Sequence, residues 1–353
     1  MRRYMEYIIT ALLAIDYRMH AGAVLAVGWI LAAGIANAGI IDLKSTAGDH
    51  KLVGVSAEGF AGQKVLFGDF NGDGRNDLVV GSRGYDYSGR TNCGVVYVVL
   101  NSDTLGSVID FASERPDLIR IIGPEANSQI GTVVGCGDVD DDGHDDILCG
   151  IPTASPRGLT SAGEVFVIRG SDVPTDTVDL SSPPATVTLI EGAALFDTLG
   201  ESVTVADIND DGFGDVIAGA PFSTTPAGSI AGKVFVVYGS DALAPVINLA
   251  EPGTKIMQVF GAHANDILGK SCYAADVTGD GIADLVAGAP QESPSGRAFA
   301  GAAYIIEGSA SLPDTVDLTG GPGPGITRIL GPAAGSLTGS NFQSGDTDGN
   351  GIA

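Results

Sequence analysis

Five aspartate-rich strings recur along the chain: DFNGDGRND from Asp69, DVDDDGHDD from Asp138, DINDDGFGD from Asp207, DVTGDGIAD from Asp276 and DTDGNGIA from Asp346. Each fits D-x-[DNT]-x-[DN]-G-x-x-D as far as it is present. A hard cation such as calcium takes six to eight oxygens at about 2.3–2.6 Å, and alternate positions of a tightly curled loop can supply them. In the first string Asp69, Asn71, Asp73 and Asp77 offer side-chain oxygens and Arg75 offers its carbonyl. The second offers Asp138, Asp140, Asp142 and Asp146 with the His144 carbonyl, and the third Asp207, Asn209, Asp211 and Asp215 with the Phe213 carbonyl. The fourth offers Asp276, Thr278, Asp280 and Asp284 with the Ile282 carbonyl. Threonine is the poorer ligand, so the fourth site is expected to be the weakest of the complete ones. The fifth holds Asp346, Asp348 and Asn350, and its ninth position lies beyond Ala353. Carboxylates crowded this closely repel one another, and a divalent ion removes that cost.

The flanking sequence decides what kind of loop this is. An EF-hand needs helices on both sides and a glutamate at position twelve, whereas that position here is Val80, Cys149, Ala218 or Ala287. The strings start 69, 69, 69 and 70 residues apart. Gly62, Gly131, Gly200, Gly269 and Gly339 each stand seven residues ahead of a string, and the pieces IIDL, VIDF, TVDL, VINL and TVDL keep the same beat. One unit therefore recurs. Within the third copy, ESVTVAD, DVIAGAP, KVFVVYG and TKIMQVFGA read as four short strands with glycine and proline at the junctions, and the connector SDALAPVINLAEPG precedes the last. Four antiparallel strands per unit make a propeller blade; a solenoid is the competing arrangement. The fold expected is all-β, a β-propeller.

The run LGESVTVADINDDGFGDVIAGAP to GKVFVVYG resembles the FG-GAP repeat of integrin α-subunit propellers, with Gly-Ala-Pro at 219–221 and 288–290. The resemblance covers about residues 40–353. It implies seven blades in the intact protein, calcium in the loop between the first two strands of a blade, and the loop residues above as its ligands. The first repeat departs from the pattern at Gly81-Ser82-Arg83 and the second at Gly150-Ile151-Pro152. A metal loop in every complete repeat, and no N-x-S/T sequon after the leader, are more similar to related bacterial secreted proteins.

Residues 21–38, AGAVLAVGWILAAGIANA, follow Arg2, Arg3 and Arg18 and end in Ala36-Asn37-Ala38, a secretory signal pattern with cleavage before Gly39. An uncleaved anchor is the rival, since 18 apolar residues can just span a bilayer. Residues 39–353 are then the propeller repeats. GIIDLKSTAGDHKLVGVSAEGF matches a connector and fourth strand, so blade sharing is expected to close the ring. With four complete units and a fifth cut short, the chain reads as a C-terminally truncated fragment.

Eighteen Lys+Arg against 43 Asp+Glu give a net charge of −25, which repels nucleic acid and anionic lipid. Hydrophobic content of 44% argues against disorder. Four cysteines are too few for a disulfide framework in 353 residues and read as small buried hydrophobes, with a Cys136–Cys149 bridge left open. Of the histidines (His20, His50, His144, His263), none pairs with a nucleophile at a known spacing, His50 and His263 read as surface residues, and zinc ligation is not expected from scattered Cys and His. No enzyme is expected in this chain. The expectation is a secreted or cell-surface, calcium-binding recognition or adhesion module for an extracellular protein or glycan. The alternative is an accessory domain of a secreted enzyme resembling the glycosylphosphatidylinositol phospholipase D type. A purely structural surface protein is the third option.

Overall fold

The computed structural model describes residues 51–342 apart from 57, 102–107, 173, 175 and 252–254. The leader at 1–38 and the fifth loop (Asp346, Asp348, Asn350) lie outside the described residues. The first part of the chain forms β1 (Lys51–Val53), β2 (Ala61–Gly68), β3 (Asp77–Ser82), β4 (Val95–Val99), β5 (Val108–Asp110) and β6 (Leu118–Ile122). Then come β7 (Val133–Gly137), β8 (Asp146–Ile151), β9 (Glu164–Ile168), β10 (Thr177–Asp179) and β11 (Val187–Glu191). The third repeat gives β12 (Ser202–Ala206), β13 (Asp215–Ala220), β14 (Lys233–Val237), β15 (Val246–Asn248) and β16 (Ile256–Phe260). The last described strands are β17 (Cys272–Ala275), β18 (Asp284–Ala289), β19 (Ala302–Ile306), β20 (Thr315–Asp317) and β21 (Ile326–Leu330). The described residues contain short 3₁₀ turns and no α-helix, so none has a helix long and apolar enough to cross a membrane.

Each repeat folds into four antiparallel strands in simple meander order: β2-β3-β4-β6, β7-β8-β9-β11, β12-β13-β14-β16 and β17-β18-β19-β21. The innermost strands β2, β7, β12 and β17 lie against one another in succession, which sets the sheets side by side as propeller blades. Second and third strands such as DVIAGA and KVFVV are almost wholly buried rather than alternating. Such runs suit a sheet covered on both faces.

The cores accordingly lie between blades. Val79, Val96 and Ile121 of the first blade pack with Ile147, Phe166 and Ile168 of the second. Leu148, Val165 and Val167 of the second pack with Val216, Phe235 and Val237 of the third. Ile217, Val236 and Met257 of the third pack with Leu285, Tyr304 and Ile306 of the fourth.

Two features differ from the sequence expectation. The TVD and VIN pieces, read as connector, form a fifth strand: β10, β15 and β20 each run parallel to the fourth strand of the preceding blade. Their partner sits in another repeat, so local pattern could not reveal it. In the same way β5 runs parallel to β1, which therefore occupies the place of a fourth strand, as its sequence match suggested. The cysteines resolve the open question: all four are free thiols, with Cys136 opposite Ile147 and Cys149 opposite Val134 on adjacent strands. Burial pushes the Cys149 and Cys272 thiols up to about 12, and they act as core atoms.

Close blade packing rests on paired glycines. Gly131, Gly200, Gly269 and Gly339 have φ of 89°, 88°, 86° and 88°, a region that favours glycine. Their carbonyl groups lie where a β-carbon on Gly81, Gly150, Gly219 or Gly288 of the preceding blade would stand. Ser202 and Ser271 hold two of these carbonyls, Oγ donating to Gly269 O at 2.9 Å and to Gly339 O at 2.6 Å.

Candidate metal centres

The four complete acidic strings lie between the first and second strands of their blades and share one hydrogen-bond plan. The carboxylate at position one accepts from the backbone N–H groups at positions five and six. Asp69 receives Asp73 N (3.0 Å) and Gly74 N (2.7 Å), and Asp207 receives Asp211 N (3.2 Å) and Gly212 N (2.8 Å). Asp138 and Asp276 do the same with Gly143 N and Gly281 N at 2.9 Å each. Position five in turn accepts from position seven, as from Arg75, His144, Phe213 and Ile282 to Asp73, Asp142, Asp211 and Asp280 at 2.9–3.0 Å. The glycine at position six has φ of 81°, 85°, 93° and 94° in the four loops, the turn that aims these N–H groups inward.

The ninth-position aspartates are the surprise. Asp77, Asp146, Asp215 and Asp284 are fully buried. One oxygen accepts from position two (Phe70, Val139, Ile208, Val277) at 2.8–3.1 Å. The other accepts from the chain leaving the third strand (Asn101, Gly170, Gly239, Gly308) at 2.7–3.0 Å. These residues tie the loop to its own blade besides facing the other carboxylates. Burial pushes Asp77 up to about 6 and Asp146 and Asp215 up to about 7, with the neighbouring loop carboxylates adding to it.

The second loop is the most closed. Oxygens of Asp138, Asp140 and Asp146 lie within 4.8 Å of one another. Asp140 Oδ1 is enclosed without a hydrogen-bond donor, although its Oδ2 pairs with Arg169 Nε at 3.0 Å. Burial and the adjacent Asp142 hold the Asp140 carboxyl above its ordinary value. An enclosed acceptor among oxygen-only donors fits a hard cation. Sequence spacing placed these residues correctly on one loop. It missed Arg169, which belongs to the end of β9, and the imidazole of His144, which bridges Asp142 (2.9 Å) and Asp172 (3.1 Å).

Successive loops are bonded to each other. Asp145 N donates to Asp69 O at 2.8 Å and Gly214 N to Asp138 O at 3.0 Å. Ser171, Ser240 and Ser309 N donate to the carbonyls of Phe70, Val139 and Ile208, position two of the loop one blade earlier. A loop is thus fixed by the blade that follows it as well as by its own.

The family profile described as FG-GAP repeat matches residues 61–99, 131–168, 199–237 and 273–306. The chain carries four FG-GAP repeats. Each match runs from the first to the third strand of one blade and encloses its acidic loop. Among curated proteins, the chain is 30% identical over 174 residues to phosphatidylinositol-glycan-specific phospholipase D of Rattus norvegicus, covering 48% of this chain and 20% of that protein. It is 28% identical over 214 residues to the protein of that name from Dictyostelium discoideum (57% and 22%). It is 29% identical over 250 residues to integrin alpha pat-2 of Caenorhabditis elegans (68% and 18%). The match thus spans about a fifth of the length of each of these relatives.

Proposed function

We propose that this FG-GAP domain is a calcium-stabilised recognition module that works outside the cell and performs no catalysis itself. The observation that carries the calcium reading is the loop plan, repeated four times. Position-one and position-five carboxylates are already oriented by backbone N–H groups, and in the second loop three carboxylates converge. Ions would be held by Asp69, Asn71, Asp73 and Asp77, by Asp138, Asp140, Asp142 and Asp146, and by the matching residues from Asp207 and Asp276, with the position-seven carbonyls. Calcium supplies positive charge there and no reactive group. Because the first three loops are each bonded to the next blade, ion binding stiffens the junctions between blades and leaves the opposite, loop-bearing end of the sheets to meet a protein or glycan.

The likeness to both integrin alpha chains and phospholipases supports a second reading, an accessory domain beside a hydrolase domain. Sequencing the gene on both sides of these residues separates the two, since a hydrolase domain on the same chain favours the second. The calcium reading is tested by thermal unfolding. Excess EDTA is expected to lower Tm by ten degrees or so, as loss of a saturating ligand removes roughly 3–4 kcal/mol at a thousandfold excess over Kd. Calcium restores it and magnesium does not, because magnesium demands a tighter octahedral shell. An unchanged Tm on chelation would discard the reading.

A further inference from the structure

The loops between second and third strands, and those joining one blade to the next, lie at the end of the sheets opposite the acidic strings. At that end, between the third and fourth blades, a cavity of about 730 Å³ is lined by His263, Asp266, Glu292, Phe299 and Arg328 among others. Asp266 and Glu292 are 4% and 1% exposed, whereas His263 stands at the mouth. One ring nitrogen of His263 and one oxygen of each carboxylate lie within 4.8 Å of one another, and His263 Nδ1 stands 3.0 Å from Asp266 Oδ2. We propose that His263, Asp266 and Glu292 bind a divalent transition-metal ion of the zinc or cobalt type, at a site separate from the calcium loops.

Three observations support this. The ligand set is one imidazole and two carboxylates, and zinc takes such N and O donors at about 2.0–2.2 Å, whereas hard calcium prefers oxygen alone. The open cavity leaves further coordination positions to water or a ligand atom. The carboxylates are also held by a surrounding layer of the kind metal ligands use. Tyr304 Oη donates to Glu292 Oε2 at 2.8 Å, Arg328 pairs with Glu292 Oε1, and the His263 backbone N–H donates to Asp266 Oδ2 at 3.0 Å. Arg328 supplies one positive charge against two buried carboxylates, which leaves a net negative charge for a cation to offset.

The repeats provide the third. Sixty-nine residues earlier, the positions of His263, Asp266 and Glu292 are Ala194, Asp197 and Ser223; sixty-nine before that, they are Glu125, Ser128 and Ala154. The junction one repeat earlier carries neither histidine nor glutamate at these positions but keeps the aspartate as Asp197. Asp266 thus belongs to the repeated frame, and His263 and Glu292 are added to it.

The test is titration of the calcium-saturated full chain with Co²⁺, read by visible d–d absorption, and with Zn²⁺, read by calorimetry. One equivalent is expected at the site in wild type. His263→Asn, an exposed loop change, should weaken binding at least tenfold, and Glu292→Gln by about 10–100-fold or more. His50→Asn, a change to another histidine that is not among the proposed ligands, should leave the affinity unchanged. Stoichiometric binding that survives His263→Asn, or is lost in His50→Asn instead, would overturn the proposal, as would no stoichiometric binding by wild type. Calcium is saturating throughout, so these outcomes are independent of whether the acidic loops hold that ion.

Discussion

Asp146 accepts backbone N–H groups from Val139 and Gly170 while its carboxylate also faces Asp138 and Asp140. Spacing in the sequence revealed the second role, because the nine-residue pattern is local. It could not reveal the first in full, because Gly170 lies 24 residues on, at the end of another strand. The pH response follows from the same burial. With Asp77 raised to about 6 and Asp146 and Asp215 to about 7, the metal-free native chain holds protons that the unfolded chain releases above about 4. Between those values the native state binds more protons, so stability falls as pH rises from about 4 to 7. In EDTA, Tm at pH 5 should therefore exceed Tm at pH 7.5 by several degrees, and saturating calcium should flatten or reverse the order. Equal or rising Tm across that range in EDTA would contradict it. Asp179, held down to about 2 chiefly by Arg90, acts in the opposite sense: its contribution persists above its unfolded value and is lost only in stronger acid.

At the level of strands and junctions, the sequence revealed four strands per unit and the seven-residue interval from glycine to acidic loop. It did not reveal what the glycine meets. Gly219→Ala would drive a β-carbon into the Gly269 carbonyl of the next blade, and moving the Ser202 hydroxyl beside it would not relieve that backbone clash. The expected loss is about 3 kcal/mol, in the upper range for overpacking. Gly296→Ala is the control: φ is +77°, but a β-carbon meets nothing within 4 Å. Backbone strain alone should cost about 1 kcal/mol there. Urea denaturation of the two variants checks the order, and equal losses would show that the close approach does not matter. The parallel edge strands and the His263–Asp266–Glu292 group escaped sequence reading for one reason, since both are assembled from segments of different blades.

Among the described residues, cohesion resides in three interfaces between sheets and in a further cluster on the first blade around Tyr97 and Phe111, rather than in a central core. Phe235 is completely buried between the second and third blades. Phe235→Ala should cost about 3–5 kcal/mol. Because each blade touches its neighbours in line, the loss should fall unevenly. Hydrogen exchange is expected to speed up in β8, β9, β13 and β14 and to change least in β3 and β4, where the interface is formed by other residues. Uniform acceleration through all blades would show that the sheets unfold only as one unit.

The glycine contacts between blades also bear on how such repeats can drift. At Gly219 the nearest obstacle is a carbonyl oxygen, which every amino acid carries, and shortening the Ser202 side chain beside it would leave that oxygen in place. A mutation on one side therefore has no rescuer on the other. Each position must stay glycine on its own account, and comparing many related sequences for paired changes would find no trace of this junction.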